Sequence, residues 1–239
     1  MKIEGYSPPV KQNMNMTIFF LIIFTVIGIT NIAAIFLRNE KLRQISKCLI
    51  IPPLLAAYIA GGGSWIYPIP ALILGWTGDV LLLRINKKIC FLAGLGSFLL
   101  GHIFYIITFA FILGASASTA ISINIPAILI FTPPACVLGM IVFRLIKPTR
   151  EMYAPVIVYM VVLLMMSFFG FQVFLAHPEL AGLLILSGSF NFMVSDTILA
   201  YYTFRKPKIY GSVLIMAYYV LAQAEIVIGL LLLARGRII

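Results

Sequence analysis

Three acidic side chains interrupt long apolar runs in this 239-residue sequence: Asp79, Asp196 and Glu225. A carboxylate at the centre of a membrane-spanning helix costs about 2.5–3.5 kcal/mol on insertion scales, so its presence there needs a reason. A hydrogen-bonded clamp between helices is one reason, and a functional site is the default one. Two carboxyl groups at a similar depth are suited to acid–base catalysis or to proton movement.

The composition indicates a protein embedded in lipid. Hydrophobic residues make up 62% of the chain, charged residues 10%, and the mean hydropathy is +1.11. A soluble domain is usually less than about half apolar. The net charge of +10 would suit nucleic acid, but the basic residues form short clusters between apolar runs, as membrane loops do. We therefore expect no nucleic-acid partner.

Crossing the hydrocarbon core requires about 20 apolar residues. The sequence accordingly predicts an all-α, polytopic membrane helix bundle with eight transmembrane helices, in a single domain over residues 1–239. Two of the spans carry the proline pairs Pro52-Pro53 and Pro133-Pro134, which we expect to break the helices. The predicted spans are 17–37, 45–60, 65–83, 89–113, 121–144, 154–176, 181–203 and 211–234.

The basic residues alternate between loops. Outside the termini, every Lys and Arg falls near the loops that follow spans 1, 3, 5 and 7, and the loops after spans 2, 4 and 6 have none. The positive-inside rule places the basic loops in the cytoplasm and both termini outside. We expect an integral, multi-pass protein of a bacterial inner (cell) membrane, surrounded by membrane lipid.

The two halves of the chain show a short similarity. Asp79 lies late in span 3 within Gly78-Asp79-Val80-Leu81-Leu82, and Asp196 lies late in span 7 within Ser195-Asp196-Thr197-Ile198-Leu199. This similarity leads to the hypothesis of two parallel four-helix halves. Because spans 3 and 7 then run in the same direction, both acids lie in the same half of the bilayer and can converge on one cavity.

Span 4 carries two further polar side chains, His102 and Tyr105, which are neighbours at i and i+3. Gly94, Ser97 and Gly101 form a stripe of small residues that predicts close helix packing. His102 is as readily a hydrogen-bonded packing residue as a functional group.

Span 8 carries polar side chains on two different faces. Gln223 and Glu225 point about 200° apart on a helix, so they cannot both face one cavity. Tyr219 shares the Gln223 side, and Tyr218 shares the Glu225 side. One face therefore lines a site while the other makes a polar helix contact.

The three cysteines, Cys48, Cys90 and Cys136, form no CxxC pair. Together with the two histidines they provide no zinc-like ligand set, so we expect packing roles for them and neither metal nor cofactor.

Four strings, taken in order, resemble the YhhN-like lysoplasmalogenase family of eight-span membrane enzymes. The resemblance covers roughly residues 71–110 and 184–226. Asn191 and Glu225 stand where apolar residues are expected. The strings are Gly78-Asp79-Val80-Leu81-Leu82, the pattern over residues 91–105, Gly188-x3-Phe192-x2-Ser195-Asp196 followed by Leu199-Ala200, and Tyr218-Tyr219-x2-Ala222-Gln223.

This resemblance implies hydrolysis of the vinyl ether bond of a lysophospholipid, with a fatty aldehyde and a glycerophospho-alcohol as products. It implies Asp79 and Asp196 as the catalytic pair and favours Gln223 over Glu225 for the site. A basic edge is a candidate attractor for the lipid phosphate, although topology alone explains its charge; it consists of Arg84, Lys87, Lys88 and Arg205. The substrate-binding residues implied are His102, Tyr105, Ser195, Tyr219 and Gln223.

Three rival functions are compatible with intramembrane acids. A proton-coupled transporter or channel suits two acids at similar depth, proline-broken helices and half repeats. A Gly-x-Gly-Asp motif would indicate an intramembrane aspartyl protease, but Trp76 occupies the position of the first glycine here. A lipid-sensing scaffold would bind lysolipid without turnover.

Overall fold

The computed structural model describes residues 13–84, 87–116, 124–204 and 209–236, and these parts contain helices and no β-strand. The helices are α1 Met14–Phe36, α2 Glu40–Leu49, α3 Ile51–Ala60, α4 Pro68–Leu82, α5 Lys88–Ser116, α6 Ile125–Ile146, α7 Tyr153–Ala176, α8 Leu180–Phe204 and α9 Ile209–Gly236. A single 3₁₀ turn, Arg150–Met152, precedes α7.

The architecture is that of a polytopic helical membrane protein, as predicted. Seven stretches within the described residues are long and apolar enough to cross a membrane, and α2 and α3 together count as one of them. The one predicted span that is not among these seven is span 3, which corresponds to α4 and has only 15 helical residues. At 1.5 Å per residue it reaches about 22 Å, short of a hydrocarbon core of about 30 Å. Predicted span 65–83 was too long because the helix begins only at Pro68, where proline suits the first turn.

The proline pairs behave differently from each other. Pro52 and Pro53 lie in the first turn of α3, directly after the junction with α2 at Ile50, where missing N–H donors cost little. Pro133 and Pro134 lie inside α6, which continues through them, so the predicted break there is wrong. The start of predicted span 121–144 lies outside the described residues. Within them, α6 begins after Asn124, whose side chain accepts a hydrogen bond from the Ala127 N–H.

The helices that carry the acids pack against their chain neighbours. Helix α4 lies along α5, α8 lies along α9, and α7 contacts both α5 and α8. The predicted small-residue stripe on α5 faces α4: Ser97 donates to the Leu74 carbonyl at 2.6 Å, and a Cβ on Gly101 would lie 3.1 Å from the Ala71 carbonyl oxygen. Small residues therefore let α4 and α5 approach closely, which is how membrane helices gain packing energy.

Candidate active site

Helices α4 and α8 bring the two predicted aspartates into the bundle interior. Asp79 is 2% exposed and Asp196 is 8% exposed. Each belongs to the buried face of its helix, together with residues one or two turns away such as Gly75 and Ser189. Buried carboxyl groups require partners, because an isolated charge in a low-dielectric interior is strongly unfavourable.

Asp79 is held by two side chains from other helices. The Tyr219 hydroxyl on α9 donates a hydrogen bond to Asp79 Oδ2 at 2.5 Å. The Lys47 ammonium on α2 lies 3.4 Å from Asp79 Oδ1. Both ends of this ion pair are largely withdrawn from solvent, with 14% of the Lys47 side chain and 3% of the Asp79 side chain exposed.

Asp196 has a different set of partners. The Tyr159 hydroxyl on α7 donates to Asp196 Oδ2 at 2.5 Å, and His102 Nε2 on α5 lies 3.2 Å from the same oxygen. His102 Nε2 is also 3.1 Å from the Tyr159 hydroxyl oxygen. The three side chains form a compact triad at the meeting point of α5, α7 and α8.

Aromatic rings connect the two carboxyl groups. The Phe192 ring packs edge-to-face against His102, with centroids 4.6 Å apart, and against Tyr219 at 5.6 Å. His102 contacts Asp196 and Tyr219 bonds Asp79, so the Phe192 ring lies between the partners of the two acids. The two acids therefore share one buried region rather than two separate ones.

A further hydrogen bond extends this region along α9. Tyr105 donates to the Gln223 side-chain oxygen at 2.9 Å, and both residues are buried. Gly75 on α4 lies beside this pair, and a Cβ at that position would make ordinary contacts, 3.4 Å from Gln223 Nε2 and 3.8 Å from the Tyr219 hydroxyl.

Asp196 borders an apolar cleft between α5, α6, α7 and α8, which is lined by Phe98, Val142, Tyr159, Leu163 and other residues. A second apolar hollow adjoins this apolar cleft and shares Val142 and Leu163 with it. Much of the outward surface of α6 beside these hollows is apolar and exposed, as expected for a face in contact with lipid.

A larger space lies near Asp79. This basic cavity has a volume of about 440 Å³, and its polar lining includes Arg43, Lys47, Tyr202 and Ser212. It shares Leu82, Leu199 and Thr203 with the apolar cleft, so the two spaces adjoin.

A family model described as the YhhN family matches residues 42–230. The chain belongs to the YhhN family. The matched segment contains both acids and all the side chains described above as their partners. Comparisons with curated proteins and with solved structures give no match.

Not every residue that the sequence predicts for the site contacts the acids. The Ser195 hydroxyl donates to the Ile215 carbonyl at 3.0 Å and so connects α8 to α9. Glu225 accepts hydrogen bonds from Ser187 at 3.1 Å and Asn191 at 2.7 Å, which form a separate polar contact. Gln223 and Glu225 thus face different surroundings, as their angular separation predicts.

Two side chains at the candidate site were not predicted from the sequence. The loop-charge pattern assigns Lys47 to the basic loop after span 1, although the residue lies within predicted span 45–60, five residues before Pro52. Tyr159 had no sequence motif to mark it, and its only signal was a phenol in the middle of a predicted span. Both contact an aspartate directly.

Three of the four residues of the predicted basic edge lie in the described parts of the chain. Arg84 and Lys87 are exposed, and Lys88 donates to the Glu151 carboxylate at 2.6 Å. Arg205 lies outside the described residues. Within the described parts of the chain, no cluster of three His, Cys, Asp or Glu side chains could hold a metal ion.

Proposed function

We propose that this YhhN-family chain is a lysoplasmalogenase, a hydrolase acting on ether bonds. Its substrate would be an alkenylglycerophosphocholine or alkenylglycerophosphoethanolamine, and its products a fatty aldehyde and a glycerophospho-alcohol. The observation that carries the proposal is the pair of buried carboxyl groups with different partners, one beside an apolar cleft and one beside an ammonium group.

The reaction needs two acid–base groups. A vinyl ether is cleaved when its β-carbon takes up a proton, because the resulting oxocarbenium ion is then attacked by water. One group must deliver that proton, and a second must stabilise the cation and accept a proton from water. Glycosidases use two carboxyl groups for a related oxocarbenium ion, and positioned acid–base groups contribute about 10²–10⁴ in rate.

The surroundings of the two acids support separate roles. Asp79 pairs with the Lys47 ammonium, which balances a carboxylate charge, so we assign Asp79 as the base. Asp196 borders the apolar cleft, where an alkenyl chain would lie, and its partners are a phenol and an imidazole. We assign Asp196 as the acid that protonates the β-carbon.

The protons balance over the cycle. Asp196 gives its proton to the β-carbon, and water adds to the α-carbon while losing a proton to Asp79. The hemiacetal then breaks its bond to the glycerol oxygen, which takes the proton from Asp79. The hemiacetal hydroxyl returns its proton to Asp196 as the aldehyde forms, so both acids regain their starting states.

The remaining polar side chains position these groups. Tyr219 and Tyr159 fix one oxygen of each carboxyl group by hydrogen bonding. The Tyr105–Gln223 pair lies beside Tyr219 and provides amide and hydroxyl groups to orient water or the ether oxygen.

Mass spectrometry of purified protein in D₂O tests the proposal. With a lysoplasmalogen as substrate and immediate trapping of the aldehyde as a hydrazone, we expect one deuterium on the carbon next to the carbonyl. That position is the former β-carbon, so the label reports its protonation. An absence of aldehyde, or an unlabelled aldehyde, would contradict the proposed reaction.

A proton-coupled transporter or channel is the second candidate, supported by the buried Lys47–Asp79 and His102–Asp196 pairs. Proton flux in proteoliposomes without lysolipid, combined with no aldehyde release in detergent, would favour it.

A further inference from the structure

The basic cavity contains two cationic side chains from one face of α2. Arg43 and Lys47 are four residues apart, so they lie one above the other along the helix. Their side chains are 30% and 14% exposed, far less than free surface cations usually are. Tyr202 and Ser212 add side chains with hydroxyl groups to the same wall.

The acidic groups near these cations leave donors available. Lys47 pairs with Asp79 through one contact of 3.4 Å, and an ammonium group has three N–H donors. Glu40 accepts from Arg43 Nε at 2.8 Å and from Nη2 at 2.5 Å. A guanidinium has five N–H donors, and the Glu40 bonds use neither of those on Nη1.

The basic cavity adjoins the apolar cleft, in the order in which a single-chain phospholipid carries its anionic head and its hydrocarbon chain. It meets the apolar cleft at Leu82, Leu199 and Thr203, and Asp196 lies on the cleft side of that junction. A ligand with an anionic head in the cavity and a hydrocarbon chain in the cleft would place its linkage close to Asp196. A guanidinium and an ammonium are the groups that proteins use to bind phosphate oxygens.

We propose that Arg43 and Lys47 bind the phosphodiester of the lysophospholipid, which makes the basic cavity the head-group subsite. This inference rests on the proposed function for the identity of the lipid, but it concerns binding and not cleavage. It replaces the predicted basic edge as the phosphate attractor, since Lys88 of that edge pairs with Glu151 at an exposed position.

Binding of a lipid that cannot be hydrolysed tests the subsite apart from catalysis. The probe is 1-O-hexadecyl-lysophosphatidylethanolamine, whose saturated ether resists acid cleavage, and its comparison ligand is 1-O-hexadecylglycerol, which lacks the phosphate. Microscale thermophoresis in detergent measures both dissociation constants. We expect Arg43→Gln to weaken lysolipid binding about tenfold or more and to leave alkylglycerol binding unchanged.

Matched variants separate the cation from its surroundings. Glu40→Gln removes the same ion pair but keeps the Arg43 charge, so it should bind the lysolipid at least as tightly as wild type. Lys88→Gln removes an exposed cation from the predicted edge and should change neither ligand. Arg43→Lys should bind the lysolipid more tightly than Arg43→Gln but less tightly than wild type, because lysine restores the positive charge without the planar guanidinium donors.

Three results would overturn the subsite. Equal lysolipid affinity in wild type and Arg43→Gln would exclude a phosphate contact, and an equal loss in Lys88→Gln would show a general charge effect. Inorganic phosphate alone, if it competes with the lysolipid as strongly as the lipid itself does, would assign the cavity to a free anion. A failure of lysoplasmalogen cleavage with these binding differences intact would reject only the proposed function.

Discussion

Each aspartate accepts a hydrogen bond from a phenol on another helix. Tyr219 bonds Asp79 and Tyr159 bonds Asp196, both at 2.5 Å. A hydrogen bond contributes about 0.5–1.5 kcal/mol to stability when both partners are neutral and about 1.5–3 kcal/mol when one is charged. The phenols therefore fix the orientation of each acid, and they restrict which oxygen can exchange a proton with substrate.

Removal of either phenolic hydroxyl tests this orienting role. We expect Tyr159→Phe and Tyr219→Phe each to lower kcat about 10–100-fold, because the hydrogen-bond energy above is lost from the positioned acid. Steady-state aldehyde release gives the rate. Tyr210→Phe, at a residue 70% exposed, is the control and should behave as wild type. Unchanged kcat in both buried variants would show that the phenols only pack.

Glu225 provides the contrast with the two aspartates. Its partners are Ser187 and Asn191 on α8, and it belongs to neither acid cluster. Glu225→Gln should retain turnover within about threefold of wild type, since an amide can keep one of these hydrogen bonds. Steady-state aldehyde release from Glu225→Gln and wild type, measured under the same conditions, tests this prediction. A loss of turnover as large as that of an aspartate variant would indicate that the Glu225 contact between α8 and α9 takes part in the reaction.

Helix α4 approaches α5 closely at a glycine beside Asp79. A Cβ at Gly78 would lie 2.6 Å from the Phe98 ring, and that ring packs edge-to-face on Tyr219 with centroids 6.0 Å apart. The glycine therefore sets the position of the phenol that holds Asp79, through one intervening ring.

Gly78→Ala tests this contact. Overpacking of a buried contact costs about 1–3 kcal/mol, so we expect a lower melting temperature and reduced turnover. Gly96→Ala on α5 is the matched control, because a Cβ there meets no atom within 4 Å. Thermal unfolding in detergent reports both variants. A Gly78→Ala protein as stable and active as Gly96→Ala would mean that Phe98 moves freely.

The contacts of the two acids show a correspondence between the halves of the chain. Asp79 in predicted span 3 has partners in spans 2 and 8, namely Lys47 and Tyr219. Asp196 in span 7 has partners in spans 6 and 4, namely Tyr159 and His102. Spans 3 and 7 occupy the same position in the two four-span halves, and so do spans 2 and 6 and spans 4 and 8. Each acid therefore has partners from corresponding spans. The hypothesis of two parallel halves stays a prediction, and this correspondence supports it.

Sequence reasoning reached the helical membrane class and the helices that carry the acids, because hydropathy and rare buried charges are local signals. It placed the start of α4 too early, since the apolar character continues across the loop before Pro68. It missed Lys47 and Tyr159 because a partner from another helix depends on how that helix is rotated and packed. Ser195 lies next to Asp196 in sequence, yet its hydroxyl bonds the backbone of α9.

At the scale of the whole molecule, the loop charges predict an orientation. Eight crossings with basic loops in the cytoplasm place both termini outside, and the basic cavity then lies in the cytoplasmic half of the bilayer. This arrangement requires α4, despite its 15 residues, to complete a crossing together with its flanking segments.

A reporter fused after Ile239 tests the orientation. We expect alkaline phosphatase to be active at this position and green fluorescent protein to remain dark, because the former needs the periplasm and the latter fails to fold there after export. A fusion in the loop after α5 should give the same pattern, and one after Arg84 the reverse. Fluorescence at Ile239 would mean an odd number of crossings or an inverted protein.

The proposed reaction requires the two aspartates to act together, and turnover by the purified Asp79→Asn and Asp196→Asn variants measures this directly. We expect each variant to lower aldehyde release from a lysoplasmalogen by at least about 100-fold, with expression and thermal stability near wild type, because an amide neither donates nor accepts the required proton. Substantial activity in either variant, in protein that is folded as well as wild type, would contradict the acid-pair mechanism.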